Sequence, residues 1–124
     1  MSGIVIIEED PLMRSLLAEW LTSEGYRVHA VAGDDTHKPA RTDLVIADVY
    51  MPRHLGVERV RAARTSYPGA PIIAMSGQFH AGLDCGGPTA QTLGVDRVIA
   101  KPFSRGALLR AVRSMIGSPV MDTG

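Results

Sequence analysis

Apolar residues in this chain gather in five strand-length runs, separated by stretches that are either helically spaced or polar. Ile4-Val5-Ile6-Ile7 is a continuous β-branched run, the pattern of a strand covered on both faces. Similar runs predict strands over 26–31, 43–47, 72–75 and 95–100. Between the first two, Asp10 is placed to cap a helix that starts at Pro11, with Leu12, Leu16, Leu17, Trp20 and Leu21 as its apolar face. Gly25 ends that helix. Residues 33–39 are polar with no apolar stripe, so a second helix there is short and poorly formed. A third helix is expected over 55–66, stopped by Tyr67-Pro68-Gly69-Ala70-Pro71. The segment 77–88 is glycine-rich and irregular, and a short helix over 88–93 follows, capped by Gly94. A fifth helix runs from an N-cap at Ser104 to about Ile116, with Leu108, Ala111, Val112 and Met115 inward.

Strands alternating with helices predict parallel βαβ units with right-handed crossovers. Five such strands suit a doubly wound, flavodoxin-like α/β sheet of order 2-1-3-4-5. At 124 residues the chain is one domain, expected over 1–117, with a frayed tail over 118–124. The first strand lies almost at Met1 and the tail is short, which leads to the expectation of a stand-alone domain without a leader.

Thirteen basic residues balance thirteen acidic ones, so no net field favours nucleic acid or an anionic membrane. No apolar run approaches the ~18 residues of a spanning helix. The single Cys85 forms no internal disulfide, which fits a reducing cytoplasm. Cys85 shares the glycine-rich loop with His80 and Asp84 in no recognised ligand spacing, and a plain loop is the better reading. His29, His37 and His54 are scattered and read as surface residues; Arg59, Arg61 and Arg64 read as a solvated helix face.

Candidate chemistry enters at the strand ends. Glu8 and Glu9 follow the first strand, Asp48 the third, Ser76 the fourth and Lys101 the fifth. In an open parallel sheet the carboxyl ends of the strands share one edge, where ligands bind. Three carboxylates there repel one another by roughly 4 kcal/mol per pair at 4 Å and an effective dielectric of 20. Lys101 supplies one compensating charge, and a hard divalent cation such as Mg²⁺ would supply two. Asp48 is then a nucleophile toward phosphorus, forming an aspartyl phosphate, while Ser76 donates a hydrogen bond to the product.

This constellation closely resembles the receiver domain of two-component response regulators. The resemblance spans residues 4–116 and rests on Glu8-Glu9-Asp10-Pro11, Asp48-Val49-Tyr50-Met51-Pro52 with Gly56, Ser76-Gly77, and Lys101-Pro102-Phe103. It implies Asp48 as phospho-acceptor, with Ser76 and Lys101 as the hydroxyl and lysine of the site. It also implies Glu8, Glu9, Asp48 and the backbone carbonyl of Tyr50 as Mg²⁺ ligands. In such domains the position of Tyr50 and that of Gln78 influence how water reaches the phosphate, so a bulky Tyr50 is expected to slow hydrolysis. Lys101-Pro102 is a candidate cis bond.

Three departures from the family's pattern stand out, one being the stretch Asp34 to Pro39, too polar for a standard second helix. Glu9 replaces the usual Asp, adding a methylene that a near-octahedral Mg²⁺ site must absorb. Val98 stands where many members carry Tyr or Phe, so any signal travels through Ser76 and the adjacent loop rather than through an aromatic switch. The resemblance implies a signalling module, not an enzyme, that at most promotes its own phosphorylation and dephosphorylation. Its donor is a sensor histidine kinase or a histidine phosphotransfer protein, and its output is contact with a further protein through helix four, strand five and helix five. One alternative is a degenerate receiver that binds a partner without phosphorylation. Another is an aspartate-nucleophile phosphatase, disfavoured because Tyr50 occupies the place of the second aspartate.

Overall fold

The computed structural model describes residues 3–31, 42–48, 53–76, 95–100 and 103–117, with the backbone alone at 53–59, 76 and 100. Five strands form one parallel sheet: β1 (Gly3–Ile7), β2 (Arg27–Val31), β3 (Leu44–Asp48), β4 (Ile72–Ser76) and β5 (Arg97–Ala100). Their order is β2-β1-β3-β4-β5, as the alternation of runs predicts. Three helices lie among the described residues: α1 (Pro11–Ser23), α2 (Arg53–Ser66) and α3 (Arg105–Ile116). The weak second helix, the glycine-rich loop, the short helix over 88–93 and the tail all fall outside the described residues.

The period of two along each strand sorts side chains between two cores. Val5, Ile7, Val45, Ala47, Ile72, Ala74 and Val98 pack with Val60, Ala63 and Tyr67 on the α2 side. Ile4, Ile6, Leu44, Ile46, Ile73, Met75 and Ile99 pack with Leu17, Leu21, Leu108 and Val112 under α1 and α3. Both faces of the central strands are thus dry, which is why their sequences are apolar without alternation.

Helix boundaries follow local chemistry. Asp10 Oδ1 accepts from the Leu12 amide at 3.0 Å, and Pro11 occupies the first helical position. At the other end of α1 the Gly25 amide donates to Thr22 O and the Tyr26 amide to Leu21 O. This is a Schellman closure that needs the left-handed φ of 102° at Gly25. Because Tyr26 belongs to that turn, β2 begins one residue later than the apolar run suggests. Ser104 caps α3 by accepting from the Ala107 amide at 3.0 Å.

Two aspartates fix the sheet at its amino edge. Asp43 donates its amide to Gly3 O at 2.8 Å, and its Oδ2 accepts from the Gly3 amide at 2.7 Å. Asp96 repeats the arrangement with Ile72, at 2.9 and 2.8 Å. Asp96 therefore acts as a side-chain cap, and β5 starts at Arg97 rather than at Val95.

The apolar face expected for α1 is corrected in part. Leu17 and Leu21 are fully buried, Trp20 is half-buried, but Leu12 is 82% exposed and Leu16 38% exposed. Met13 takes their place against the sheet. His29, expected at the surface, is half-buried on β2. Arg61 and Arg64 are solvated as expected. Among the described residues no helix is long and apolar enough to cross a membrane.

Candidate functional site

Ladder register determines which acidic groups meet. Ile4 pairs with Leu44 and Ile7 with Ala47, so Glu8 and Asp48 each follow directly after the last paired residues of β1 and β3. Asp48 is itself the last residue of β3, one residue beyond the expected end, because the ladder continues to its pairing with Met75. Both acids are buried: Glu8 is 1% exposed and Asp48 8%. Among the described residues they are the charged members of an otherwise apolar buried set. Glu9, by contrast, is exposed. The backbone of Ser76 ends β4 opposite Ala100, at the same carboxyl edge.

Glu8 is held through its main chain from two directions. Its amide donates to Val31 O at 3.0 Å, and Arg14 Nη1 donates to its carbonyl oxygen at 2.9 Å. Arg14 escaped the sequence reading. A cation in the first turn of a helix opposes the macrodipole, and that mismatch is the available signal of a local acceptor.

Glu8 and Asp48 are hard oxygen donors, the type that Mg²⁺ takes in ones and twos while keeping several waters. Among the described residues no three acidic, histidine or cysteine side chains converge into a ready-made metal cage. Tyr50, Gln78 and Lys101 lie outside the described residues, as do His80, Asp84 and Cys85. Val98 is buried among Val60, Ala63 and Tyr67.

Comparison with known proteins agrees with this fold. The family model described as the response regulator receiver domain matches residues 4–113. The transcriptional regulatory protein PdtaR of Mycobacterium tuberculosis is 34% identical over 117 residues, covering 88% of this chain and 54% of its own length. The chain thus spans about half the length of the curated relatives it matches. Among solved structures, the response regulator TrrA of Thermotoga maritima, crystallised with the histidine kinase ThkA, superposes at a TM-score of 0.71. It has 27% identity and covers 94% of this chain and 99% of its own. The receiver domain of sensor histidine kinase PA1611 from Pseudomonas aeruginosa, with magnesium in its active-site cleft, gives 0.70, 27%, 94% and 98% respectively. With a family match running from β1 into α3 on the expected 2-1-3-4-5 sheet, the chain belongs to the response regulator receiver domains of two-component systems.

Proposed function

We propose that Asp48 accepts a phosphoryl group from a phosphohistidine donor. The observation that supports this reading is the burial of both Glu8 and Asp48 directly after the Ile7–Ala47 pair at the carboxyl edge. Two buried carboxylates at one sheet edge supply the hard oxygen donors that a divalent cation takes. An adaptor that only bound a partner would gain nothing from keeping them there. For the same reason the phosphorylation-independent alternative is not favoured.

In the proposed reaction a carboxylate oxygen of Asp48 attacks phosphorus and forms an O–P bond. The P–N bond to the donor imidazole breaks with its electron pair staying on that nitrogen, and because the other ring nitrogen carries a proton the donor leaves as a neutral imidazole. Glu8, Glu9, Asp48 and the Tyr50 carbonyl would hold Mg²⁺, as the PA1611 receiver holds magnesium in its cleft. When bound, the cation would neutralise charge on the transferring group. Lys101 would hold an equatorial oxygen, and Ser76 would donate a hydrogen bond to the phosphorylated product. Tyr50 and Gln78 would limit access of hydrolytic water. Residues 1–117 would form the working domain, with 118–124 as a tail.

The partner class follows from the donor chemistry. A histidine kinase is supported by the TrrA–ThkA complex, and a histidine phosphotransfer protein would present the same group. The output would be contact with a further protein, with no direct hold on nucleic acid or membrane, in the cytoplasm where such donors act. Nothing in this scheme turns over a free substrate, so the module is not proposed as an enzyme beyond its own phosphorylation and dephosphorylation.

The test is mass spectrometry after incubation with acetyl phosphate and Mg²⁺. A gain of one phosphate, absent in Asp48→Ala and without Mg²⁺, is expected. No gain in the unsubstituted chain would sink the proposal.

A further inference from the structure

We propose that Arg14 is a positioning residue that sets the affinity of the Glu8–Asp48 site for a divalent cation. This rests on the reading of that site as a cation site. The argument begins with where the guanidinium goes. Arg14 reaches back six residues and donates to a main-chain acceptor, the Glu8 carbonyl, at 2.9 Å. Its own backbone is fixed, because the Arg14 amide donates to Asp10 O at 2.9 Å in the first turn of α1.

That carbonyl belongs to the peptide joining Glu8 to Glu9. The peptide is planar, so fixing the direction of its oxygen fixes the Cα positions on both sides of it. With the Glu8 amide already bonded to Val31 O, the strand exit keeps little rotational freedom. Both acidic side chains spring from this one restrained unit. Glu9 is one methylene longer in reach than aspartate, so its backbone direction matters more to where its oxygens arrive. A loop after a strand is ordinarily free to rotate here; α1 supplies the restraint through one side chain.

The guanidinium also carries a permanent charge. Its field alone would weaken cation binding, because like charges repel. Its restraint would strengthen binding by preorganising the ligands. The two roles predict opposite signs, so the sign of one measurement separates them.

The experiment is Mg²⁺ titration by calorimetry on the full chain, with Arg14→Met and Arg14→Lys. Positioning predicts a dissociation constant raised about ten-fold in Arg14→Met. Arg14→Lys, which keeps one donor, should fall between that variant and the parent. The rate of phosphorylation by acetyl phosphate should drop at limiting Mg²⁺ and return to the parent value at saturating Mg²⁺, a recovery that general loosening of the fold would not give. A dissociation constant in Arg14→Met equal to or below the parent's overturns the assignment while leaving the cation site intact. If Arg14→Met fails to fold, Arg14→Lys carries the test by the same criterion. Absence of saturable binding in the parent chain overturns the assignment and the cation reading together.

Discussion

Gly3 and Asp43 exchange two hydrogen bonds at the amino edge of the sheet, and five residues further along each segment come the buried Glu8 and Asp48. The reciprocal bracket and the acidic pair are the two ends of one ladder. In a parallel pair the register must be set by something other than a tight turn, since the connection is long. Asp43 performs that role for β1 and β3, and Asp96 performs it for β4 and β5. Replacing Asp43 by Ala leaves the Gly3 amide without its charged acceptor. We expect a loss of about 1–2 kcal/mol in stability. Asp43→Asn, which keeps an acceptor oxygen, should lose less than half of that. Urea unfolding midpoints at constant slope measure both.

Burial of Glu8 and Asp48 together predicts a stability signature at the site. Neutralising one member relieves repulsion, so Asp48→Asn should be more stable than the parent without Mg²⁺, by on the order of 1 kcal/mol. Mg²⁺ at ten times its dissociation constant should stabilise the parent by about 1.4 kcal/mol and Asp48→Asn by much less. Thermal unfolding of both proteins with and without the cation gives the comparison. Equal responses to Mg²⁺ would count against Asp48 as a ligand.

Tyr26 makes alkaline stability titratable. Its hydroxyl donates to Gly117 O at 2.7 Å, tying the turn after α1 to the end of α3. Burial raises its pKa above the ordinary 10.0, while the Arg113 guanidinium partly opposes the rise. The folded state therefore holds this proton more tightly than the unfolded chain does. Its contribution to stability is whole below about pH 10 and is lost as pH climbs through the raised value. The gap in stability between the parent and Tyr26→Phe should be constant from pH 7 to 9 and shrink above pH 10. Chemical unfolding across that range reads it out. The same corner is braced by Glu24, which accepts from Arg113 at 2.6 Å and Arg105 at 3.1 Å.

Sheet order and the acidic edge were legible because they depend on periodicity and on strand-end chemistry, both written locally. Asp48 and Ser76 could be placed at the carboxyl edge without coordinates. Arg14 could not, since its partner is a backbone carbonyl, and backbone groups carry no residue code. The outer face of α1 was misjudged for a geometric reason. At 3.6 residues per turn, Leu12 and Leu16 lie about 140° and 100° round the helix from Leu17. The five apolar residues spread over a wider arc than the sheet can cover. Contact with β1 and β2 selects the Met13–Leu17–Leu21 sector, and only tertiary packing makes that choice.

Exposure of Leu12 and Leu16 leads to a prediction about the phosphodonor. Both lie on α1, which begins two residues after Glu9, close in sequence to the acidic pair of the proposed phosphorylation site. A donor protein that brings phosphohistidine to Asp48 has to cover neighbouring surface, and two exposed apolar side chains offer burial on contact. A small phosphodonor needs no such contact. Leu12→Gln combined with Leu16→Gln should change stability by less than about 0.5 kcal/mol, because neither side chain is in the core. Phosphorylation by acetyl phosphate should keep its rate. Transfer from a phosphorylated histidine kinase should slow about ten-fold, the equivalent of 1.4 kcal/mol of lost contact. Parallel time courses with the two donors separate surface from chemistry: equal slowing with both would place the defect in the site, and no slowing with either would remove α1 from the docking surface.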